Sequence, residues 1–169
     1  MKISFIRFFG LVILIGLVLY WTLALAKDHV KAEFYLIFTG NTFGELKPCG
    51  CAREEDQGGV ERRQTYLKKI RTSGKEVVLV DTGDSFKEPT QQGQIKARFI
   101  MKSMDRMFYD AVALGDKDLV YGRKFLLQFK SIPWVASNME LEEVGDIPPY
   151  RTKRLKNGIQ ISILSLSGS

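Results

Sequence analysis

Histidine is almost absent from this sequence of 169 residues, which contains one, His29. Imidazole is the commonest side-chain metal ligand and the usual proton carrier near neutral pH. The body of the chain therefore lacks the residue on which many metal-assisted and acid–base sites depend. His29 lies between an apolar N-terminal run and the first predicted strand, where we expect an exposed residue without a ligand.

Cysteine is also scarce, and the two residues of this type are Cys49 and Cys51. Two cysteines cannot complete a four-ligand structural zinc site. No Cys-x-x-Cys-His segment is present for covalent haem attachment, and the sequence has no internal repeat and no low-complexity tract. These absences exclude a structural zinc site of that kind, an attached haem and a repeat architecture.

A block of like charge is missing as well. The formal net charge is +6, but Lys and Arg alternate with Asp and Glu through the body of the chain. This pattern predicts a solvated surface, with affinity for phosphate groups or anionic lipid as the lesser alternative. No basic stripe interleaves with aromatic residues, so a nucleic-acid polymer is not an expected partner.

One long apolar run is present, from Phe8 to Ala26, without a charged residue and preceded by Lys2 and Arg7. As a helix this run would extend about 28 Å, close to the hydrocarbon thickness of a bilayer. The positive flank predicts that the N-terminus stays inside and that the rest of the chain is translocated.

Two alternatives remain for residues 1–26. They form either a signal anchor, which binds the membrane through residues 8–26, or a signal peptide that ends at the small-x-small segment Ala24-Leu25-Ala26. In both cases the expected location is extracytoplasmic, in the periplasm or at the cell surface, anchored to the cytoplasmic membrane or secreted. Residues 33–169 then form the second domain.

The body alternates between strand-like and helix-like segments. Strands are predicted where short apolar, aromatic or β-branched runs end at turn residues, and helices where apolar positions repeat at helical spacing. The predicted strands are Glu33–Thr39, Glu76–Val80, Ala111–Leu114 and Trp134–Ala136, and the predicted helices are Val60–Arg71, Gln94–Phe108 and Tyr121–Phe129. This βαβαβαβ order is typical of a parallel α/β sheet.

The last part of the chain differs from this alternation. Residues 151–156 and 159–166 flank Asn157-Gly158, a dipeptide that favours a type I′ hairpin turn. The predicted fold class is therefore α/β, a parallel sheet with an added C-terminal β-hairpin.

Polar side chains follow all four predicted strands. Asn41 follows the first, Asp81 and Asp84 the second, Asp116 and Asp118 the third, and Asn138 the fourth. Ligands of open α/β sheets bind beyond the carboxyl ends of the strands, and such oxygen donors suit a divalent cation. The alternative is that Asx residues simply favour turns.

Several ordered motifs resemble the N-terminal half of the calcineurin-like metallophosphoesterases, especially the exported 5′-nucleotidase branch. The resemblance covers residues 33–169. Its motifs are Leu36-Ile37-Phe38-Thr39-Gly40-Asn41-Thr42-Phe43-Gly44, Gly58-Gly59-Val60-Glu61-Arg62-Arg63, Val80-Asp81-Thr82-Gly83-Asp84-Ser85-Phe86, Ala113-Leu114-Gly115-Asp116-Lys117-Asp118-Leu119-Val120-Tyr121-Gly122 and Ser137-Asn138. It implies half of a metallophosphoesterase sandwich, in which two divalent cations, such as Mn, Zn or Mg, support hydrolysis of phosphate esters.

The resemblance implies metal-binding roles for Asp84, Asp116 and Asn41, and substrate-binding roles for Asn138 and Arg62. The sequence also departs from the family pattern. The first motif of the family ends in Asp-x-His, where this chain has Asn41 and Phe43. Lys117 stands at the position of the catalytic histidine, and its ammonium group has a reference pKa of about 10.4.

Cys49 and Cys51 form a Pro-Cys-Gly-Cys loop after the first predicted strand. In an oxidising compartment a strained disulfide is one outcome. Metal-binding thiolates and free or partnered thiols are the others. Similar loops occur in a bacterial subgroup of 5′-nucleotidase-like proteins, so the pair is part of the resemblance.

Three functional hypotheses follow from the sequence. The first is an exported, membrane-tethered, degenerate metallophosphoesterase that binds metal or phosphate compounds with little or no turnover alone. The second is a phosphomonoester or nucleotide hydrolase completed by a missing C-terminal half or a partner chain. The third is a thiol redox or metal-handling module that uses Cys49 and Cys51. Because one sheet without its mate would expose apolar surface, we also expect self-association or a partner chain.

Overall fold

The computed structural model describes residues 13–17, 34–48, 58–140, 142 and 145–167. The chain divides into two compact units, Met1–Lys31 and Ala32–Ser169. In the first unit residues 13–17 are helical and exposed, and the rest of the predicted membrane segment lies outside the described residues. Within the described part of the chain, no helix has the length and apolar character needed to cross a membrane.

The second unit is built on a four-stranded parallel sheet. Its strands are β1 (Phe34–Thr39), β2 (Glu76–Asp81), β3 (Ala111–Ala113) and β4 (Trp134–Val135), in the order β1-β2-β3-β4. β1 pairs with β2 along its whole length, from Phe34 opposite Glu76 to Thr39 opposite Asp81. The predicted parallel α/β sheet is confirmed, and its carboxyl ends lie at one edge as expected.

Helices cover one face of this sheet. They are α1 (Val60–Arg71), α2 (Gln91–Met107) and α3 (Arg123–Leu126), with a 3-10 turn at Asp116–Leu119. Leu79 and Val112 of the sheet pack with the apolar sides of the helices in one core. The fully buried helical residues of this core include Leu67, Ala97, Ile100, Met101, Met104, Met107 and Leu126.

A hairpin made of β5 (Tyr150–Arg154) and β6 (Gln160–Leu164) follows, as the sequence predicts. Lys153 ties it to the sheet, because its Nζ lies 2.8 Å from Oδ1 of Asp110 and 2.6 Å from the carbonyl oxygen of Val77. Beyond β6, the hydroxyl of Ser165 donates to the carbonyl of Val135. A cavity of about 180 Å³ lies between this end of the hairpin and the strands β2, β3 and β4.

The hairpin turn differs from the type I′ turn that Asn157-Gly158 predicts. A type I′ turn needs positive φ at both central residues, but of these two residues Gly158 alone has one, 88°. The Gly158 amide donates to the carbonyl of Leu155, and the Leu155 amide donates to the carbonyl of Ile159. The connection is therefore a three-residue loop that places glycine in the left-handed position after a tight turn.

Two predicted helices have different bounds. α2 begins three residues before the predicted Gln94 because the Thr90 hydroxyl accepts a hydrogen bond from the Gly93 amide and caps an earlier turn. It ends at Met107 because Phe108 adopts the left-handed conformation, with φ of 54°. α3 is four residues long, shorter than the predicted Tyr121–Phe129.

Candidate site at the carboxyl edge of the sheet

The loops that follow β1 and β2 are joined by backbone hydrogen bonds. The amides of Asn41, Phe43 and Gly44 donate to the carbonyls of Gly83, Asp84 and Ser85 at 2.9, 3.0 and 2.9 Å. Asn41, Phe43 and Asp84 all have positive φ, of 50°, 46° and 57°. Such strained backbone is uncommon outside glycine and concentrates at functional sites.

The loop after β3 packs tightly against Asp84. A Cβ atom at Gly115 would lie 2.8 Å from the backbone nitrogen of Asp84 and 2.4 Å from its Oδ1, so a side chain there would displace the carboxylate. The Lys117 amide donates to the same Asp84 Oδ1 at 3.1 Å. The fold therefore brings the Val80–Phe86 and Ala113–Gly122 motifs together, with Asp84 half-buried between them.

Asp118 lies beneath this junction and is completely buried. Its carboxylate accepts hydrogen bonds from the amides of Gly115, Asp84 and Ser85 at 2.9 to 3.0 Å. Burial raises the pKa of Asp118 to about 7. To a smaller extent, the three amide hydrogen bonds lower this pKa and the charge of Asp81 raises it. Asp118 thus holds the two loops in place from below the surface of the edge.

A second buried carboxylate, Asp81, ends a chain of hydrogen bonds. The Arg63 guanidinium donates to the Tyr109 hydroxyl at 3.3 Å, Tyr109 lies 2.8 Å from the Thr39 hydroxyl, and Thr39 donates to Asp81. Burial raises the pKa of Asp81, although Thr39, the Gly83 amide and the Arg63 charge oppose this rise. Burial also raises the pKa of the Tyr109 hydroxyl.

Residues beyond β6 reach the same edge. The Ser167 hydroxyl donates to Oδ1 of Asp116 at 3.0 Å. The side chain of Asn138 makes two hydrogen bonds with the backbone of Ser167, one to the carbonyl at 2.7 Å and one from the amide at 2.9 Å. The side-chain oxygen and nitrogen of Asn138 are therefore engaged by the chain itself.

Arg62 and the next residue, Arg63, have different surroundings. Arg62 is exposed on α1 and lines an open surface groove with Glu61, Tyr66 and Lys69. Arg63 instead contacts the loop after β1, where its guanidinium donates to the Thr42 hydroxyl at 3.1 Å. The sequence offered a signal for Arg63, which follows the buried Val60 by three residues and so lies toward the inner side of the helix.

Asn41 and Lys117 are exposed at the edge, and Phe43 is 37% exposed. Cys49, Cys51 and His29 lie outside the described residues. In the part of the chain that is described, no group of three His, Cys, Asp or Glu side chains is arranged to hold a metal ion.

These residues do not fit the two-metal centre that the resemblance implies. A phenyl ring at position 43 has no donor atom, Lys117 adds a cation, and the side chain of Asn138 is hydrogen-bonded to Ser167. Asp84 and Asp116 are the described carboxylates that remain at the surface of the edge. Divalent cations in such centres need more oxygen or nitrogen ligands than these two groups supply.

Comparison with known proteins gives a consistent result. No family model matches the sequence. A snake venom 5′-nucleotidase from Naja atra is 36% identical over 77 residues, which are 46% of this chain and 15% of that protein. A second, from Gloydius brevicauda, is 28% identical over 122 residues, which are 69% of this chain and 21% of that protein.

Solved structures share the fold. The 5′-nucleotidase precursor from Thermus thermophilus superposes with a TM-score of 0.68 and 23% identity, over 78% of this chain and 28% of that one. The calcineurin-like phosphoesterase YfkN from Bacillus subtilis gives a TM-score of 0.52 and 20% identity, over 76% of this chain and 45% of that one. The chain is therefore similar in sequence to 5′-nucleotidases over part of its length, and it shares its fold with a 5′-nucleotidase precursor and a calcineurin-like phosphoesterase.

The carboxyl edge of the sheet brings together the loops that carry the resemblance. Backbone hydrogen bonds join the loops after β1 and β2, and the Asp118 carboxylate joins the loops after β2 and β3. The chain spans about a fifth or less of the length of the two venom proteins.

Proposed function

We propose that this chain is an exported, membrane-tethered and degenerate metallophosphoesterase-like protein, which binds a phosphate compound at the carboxyl edge of its sheet and turns it over little or not at all alone. The observation that carries this proposal lies in the Ala113–Gly122 motif. There, Lys117 occupies the histidine position beside Asp84 and Asp116, with its own amide bonded to Asp84.

The charge of Lys117 supports binding of an anion over binding of two divalent cations. An ammonium group beside two carboxylates weakens the negative field that a pair of divalent cations requires, and it attracts an anion. Lys117 is exposed, so its amine can meet a ligand from solvent. Lys117 therefore disfavours a two-metal centre, and it offers a phosphate compound one attractive contact beside the two carboxylates.

The same substitution removes the proton carrier of the reaction. General acid–base assistance by a positioned group typically contributes about 10²–10⁴-fold to a rate. A lysine side chain lacks the imidazole that usually carries protons near neutral pH. The loss of a metal-binding side chain at Phe43 adds to this deficit, and binding without efficient turnover is the expected result.

Location follows from the N-terminal run and from the relatives. The run from Phe8 to Ala26 has the length and flank of an export segment. The similar 5′-nucleotidases are venom proteins, and venom is a secreted fluid. We infer an extracytoplasmic location, with tethering through residues 8–26.

A hydrolase completed by additional residues is the second candidate. It is favoured by the exposed apolar side chains on the sheet face opposite the helices, Leu36 and Phe38 of β1 among them, because further sheet packing would bury them. The thiol hypothesis for Cys49 and Cys51 stays a prediction, and the masses of the reduced and unreduced chain would test it.

The proposal is tested with the full chain, by measuring both nucleoside monophosphate hydrolysis in the presence of manganese and binding of inorganic phosphate by calorimetry. We expect weak or no hydrolysis, and phosphate binding that Lys117→Ala weakens and Lys117→Arg retains. Asp146→Ala, which removes an exposed carboxylate elsewhere, is the control for Asp84→Ala. Strong manganese-stimulated hydrolysis that Asp84→Ala abolishes and Asp146→Ala leaves intact would show that the site is catalytically competent.

A further inference from the structure

Positive charge is concentrated on the helical layer of the second unit. α1 and α2 together contain nine Lys and Arg residues and two acidic residues, a formal charge of +7, whereas the whole chain carries +6. The remainder of the chain is thus slightly acidic. Positive and negative residues alternate along the sequence, so the sequence does not show this difference in charge. The difference becomes apparent in the structure, where the two helices lie on one face of the sheet.

Apolar side chains are exposed among these cations. On α2, Ile95 and Phe99 are 65% and 55% exposed, and they share the outward side of the helix with Lys102 and Arg106, at spacings of four, three and four residues. The opposite side of α2 is buried in the core. α2 therefore has two apolar sides, and the outer one alternates with positive charge.

A shallow cavity of about 320 Å³ joins the C-terminal ends of α1 and α2. Lys68, Arg71, Arg106 and Phe108 line it, and Phe108 is 74% exposed. Basic residues at helix C-termini are favourable because they complement the helix dipole. The dipole does not account for the exposed Phe108 beside them, or for the exposed Ile95 and Phe99 farther back along α2.

We propose that this outer helical surface, formed by Lys68, Ile95, Phe99, Lys102, Arg106 and Phe108, docks on an anionic lipid surface. Long basic side chains bind lipid phosphates while separate aromatic and aliphatic side chains enter the boundary between headgroups and acyl chains. Phosphate chemistry satisfies the cations, and the acyl boundary accommodates the apolar groups. An acidic protein would match the charge, but the scattered apolar side chains favour a fluid partner over a fixed complementary surface.

This inference is independent of the phosphate-binding edge, since none of its residues belongs to that site. It also does not require the N-terminal segment to be retained. If residues 8–26 do anchor the chain, they keep the second unit at a membrane and raise the effective concentration of lipid around it.

The test measures how fast a neutral amine-modifying reagent labels each lysine of the full chain in nanodiscs, read out by mass spectrometry. Nanodiscs of phosphatidylcholine alone are compared with nanodiscs that also contain phosphatidylglycerol. We expect labelling of Lys68 and Lys102 to slow by about fivefold in the anionic nanodiscs, the usual effect of the attraction between one basic residue and such a surface. Lys156, exposed after β5 on the hairpin, is the internal reference and should not change.

A charge-reversed pair of variants provides the matched control. Lys102→Glu combined with Arg106→Glu should abolish the protection of Lys68, whereas Arg154→Glu combined with Lys156→Glu changes the net charge equally on the hairpin and should leave it intact. Circular dichroism confirms that both variants fold. Equal labelling of Lys68 and Lys102 in the two kinds of nanodisc, or equal loss of protection in both variants, would overturn the proposal.

Discussion

Asp118 is fully buried, and its carboxylate accepts three backbone amide hydrogen bonds that join the loops after β2 and β3. Burial raises its pKa to about 7, against about 3.9 for an aspartate in an unfolded chain. Between these values the folded state holds more protons than the unfolded state. The contribution of Asp118 to the free energy of unfolding therefore decreases as the pH rises from about 4 to about 7.

Asp118→Asn tests this linkage. Asparagine cannot ionise, so the variant should lack this pH dependence, and it should be less stable by about 1–3 kcal/mol because its amide nitrogen faces donors. Urea unfolding across that pH range measures the difference between the two proteins, with Asp146→Asn as a control for an exposed aspartate. A difference that stays constant with pH would mean that Asp118 has an ordinary pKa.

Also at the residue scale, the sequence predicted which loops form the carboxyl edge of the sheet. It did not predict how each polar side chain at that edge is hydrogen-bonded. Asp84, Asp116, Asn138 and Asn41 all follow strands as expected, because a parallel sheet brings its carboxyl ends together. No sequence pattern predicted the hydrogen bonds between the Asn138 side chain and the Ser167 backbone, because they depend on where the chain runs after β6.

At the scale of elements, α1 was predicted to the residue, and α2 was not. Val60, Leu67 and Ile70 mark one apolar side of α1, and Gly74 lies just beyond its end. The first turn of α2 has no apolar residue, so the apolar periodicity does not show where the helix begins. The Thr90 cap sets this start, because its hydroxyl accepts a hydrogen bond from the Gly93 amide at 3.0 Å.

Thr90→Ala should therefore destabilise the protein, by about 1 kcal/mol, the usual cost of losing such a cap. Thr65→Ala is the matched control, because the Thr65 hydroxyl donates to the Glu61 carbonyl on the exposed side of α1 and caps no helix. Thermal unfolding of the two variants checks the prediction. An equal effect at both positions would show that the Thr90 side chain does not set the start of α2.

At the scale of the whole molecule, the described residues leave the sheet incompletely covered and the outer edge of β1 without a paired strand. β1 lies at the end of the strand order, and its outward residues Leu36 and Phe38 are 60% and 72% exposed. Leu164 and Leu166, at the end of β6, are exposed as well. An unpaired edge next to apolar side chains favours pairing with another chain. We therefore expect self-association or a partner chain, as the sequence analysis also predicted.

Leu36→Lys combined with Phe38→Lys should reduce this association, because charge on an edge strand opposes strand addition. Tyr66→Lys, on the exposed side of α1, is the control, and both variants keep the same N-terminal segment. Light scattering of the detergent-solubilised full chain, with the mass of bound detergent subtracted by differential refractometry, measures the outcome. We expect the unmodified chain and Tyr66→Lys to exceed the mass of a 19.2 kDa monomer, and the double variant to exceed it less. An unmodified chain with the mass of a monomer would instead mean that residues 32–169 bury a sufficient core alone, and the expectation of a partner would then fail.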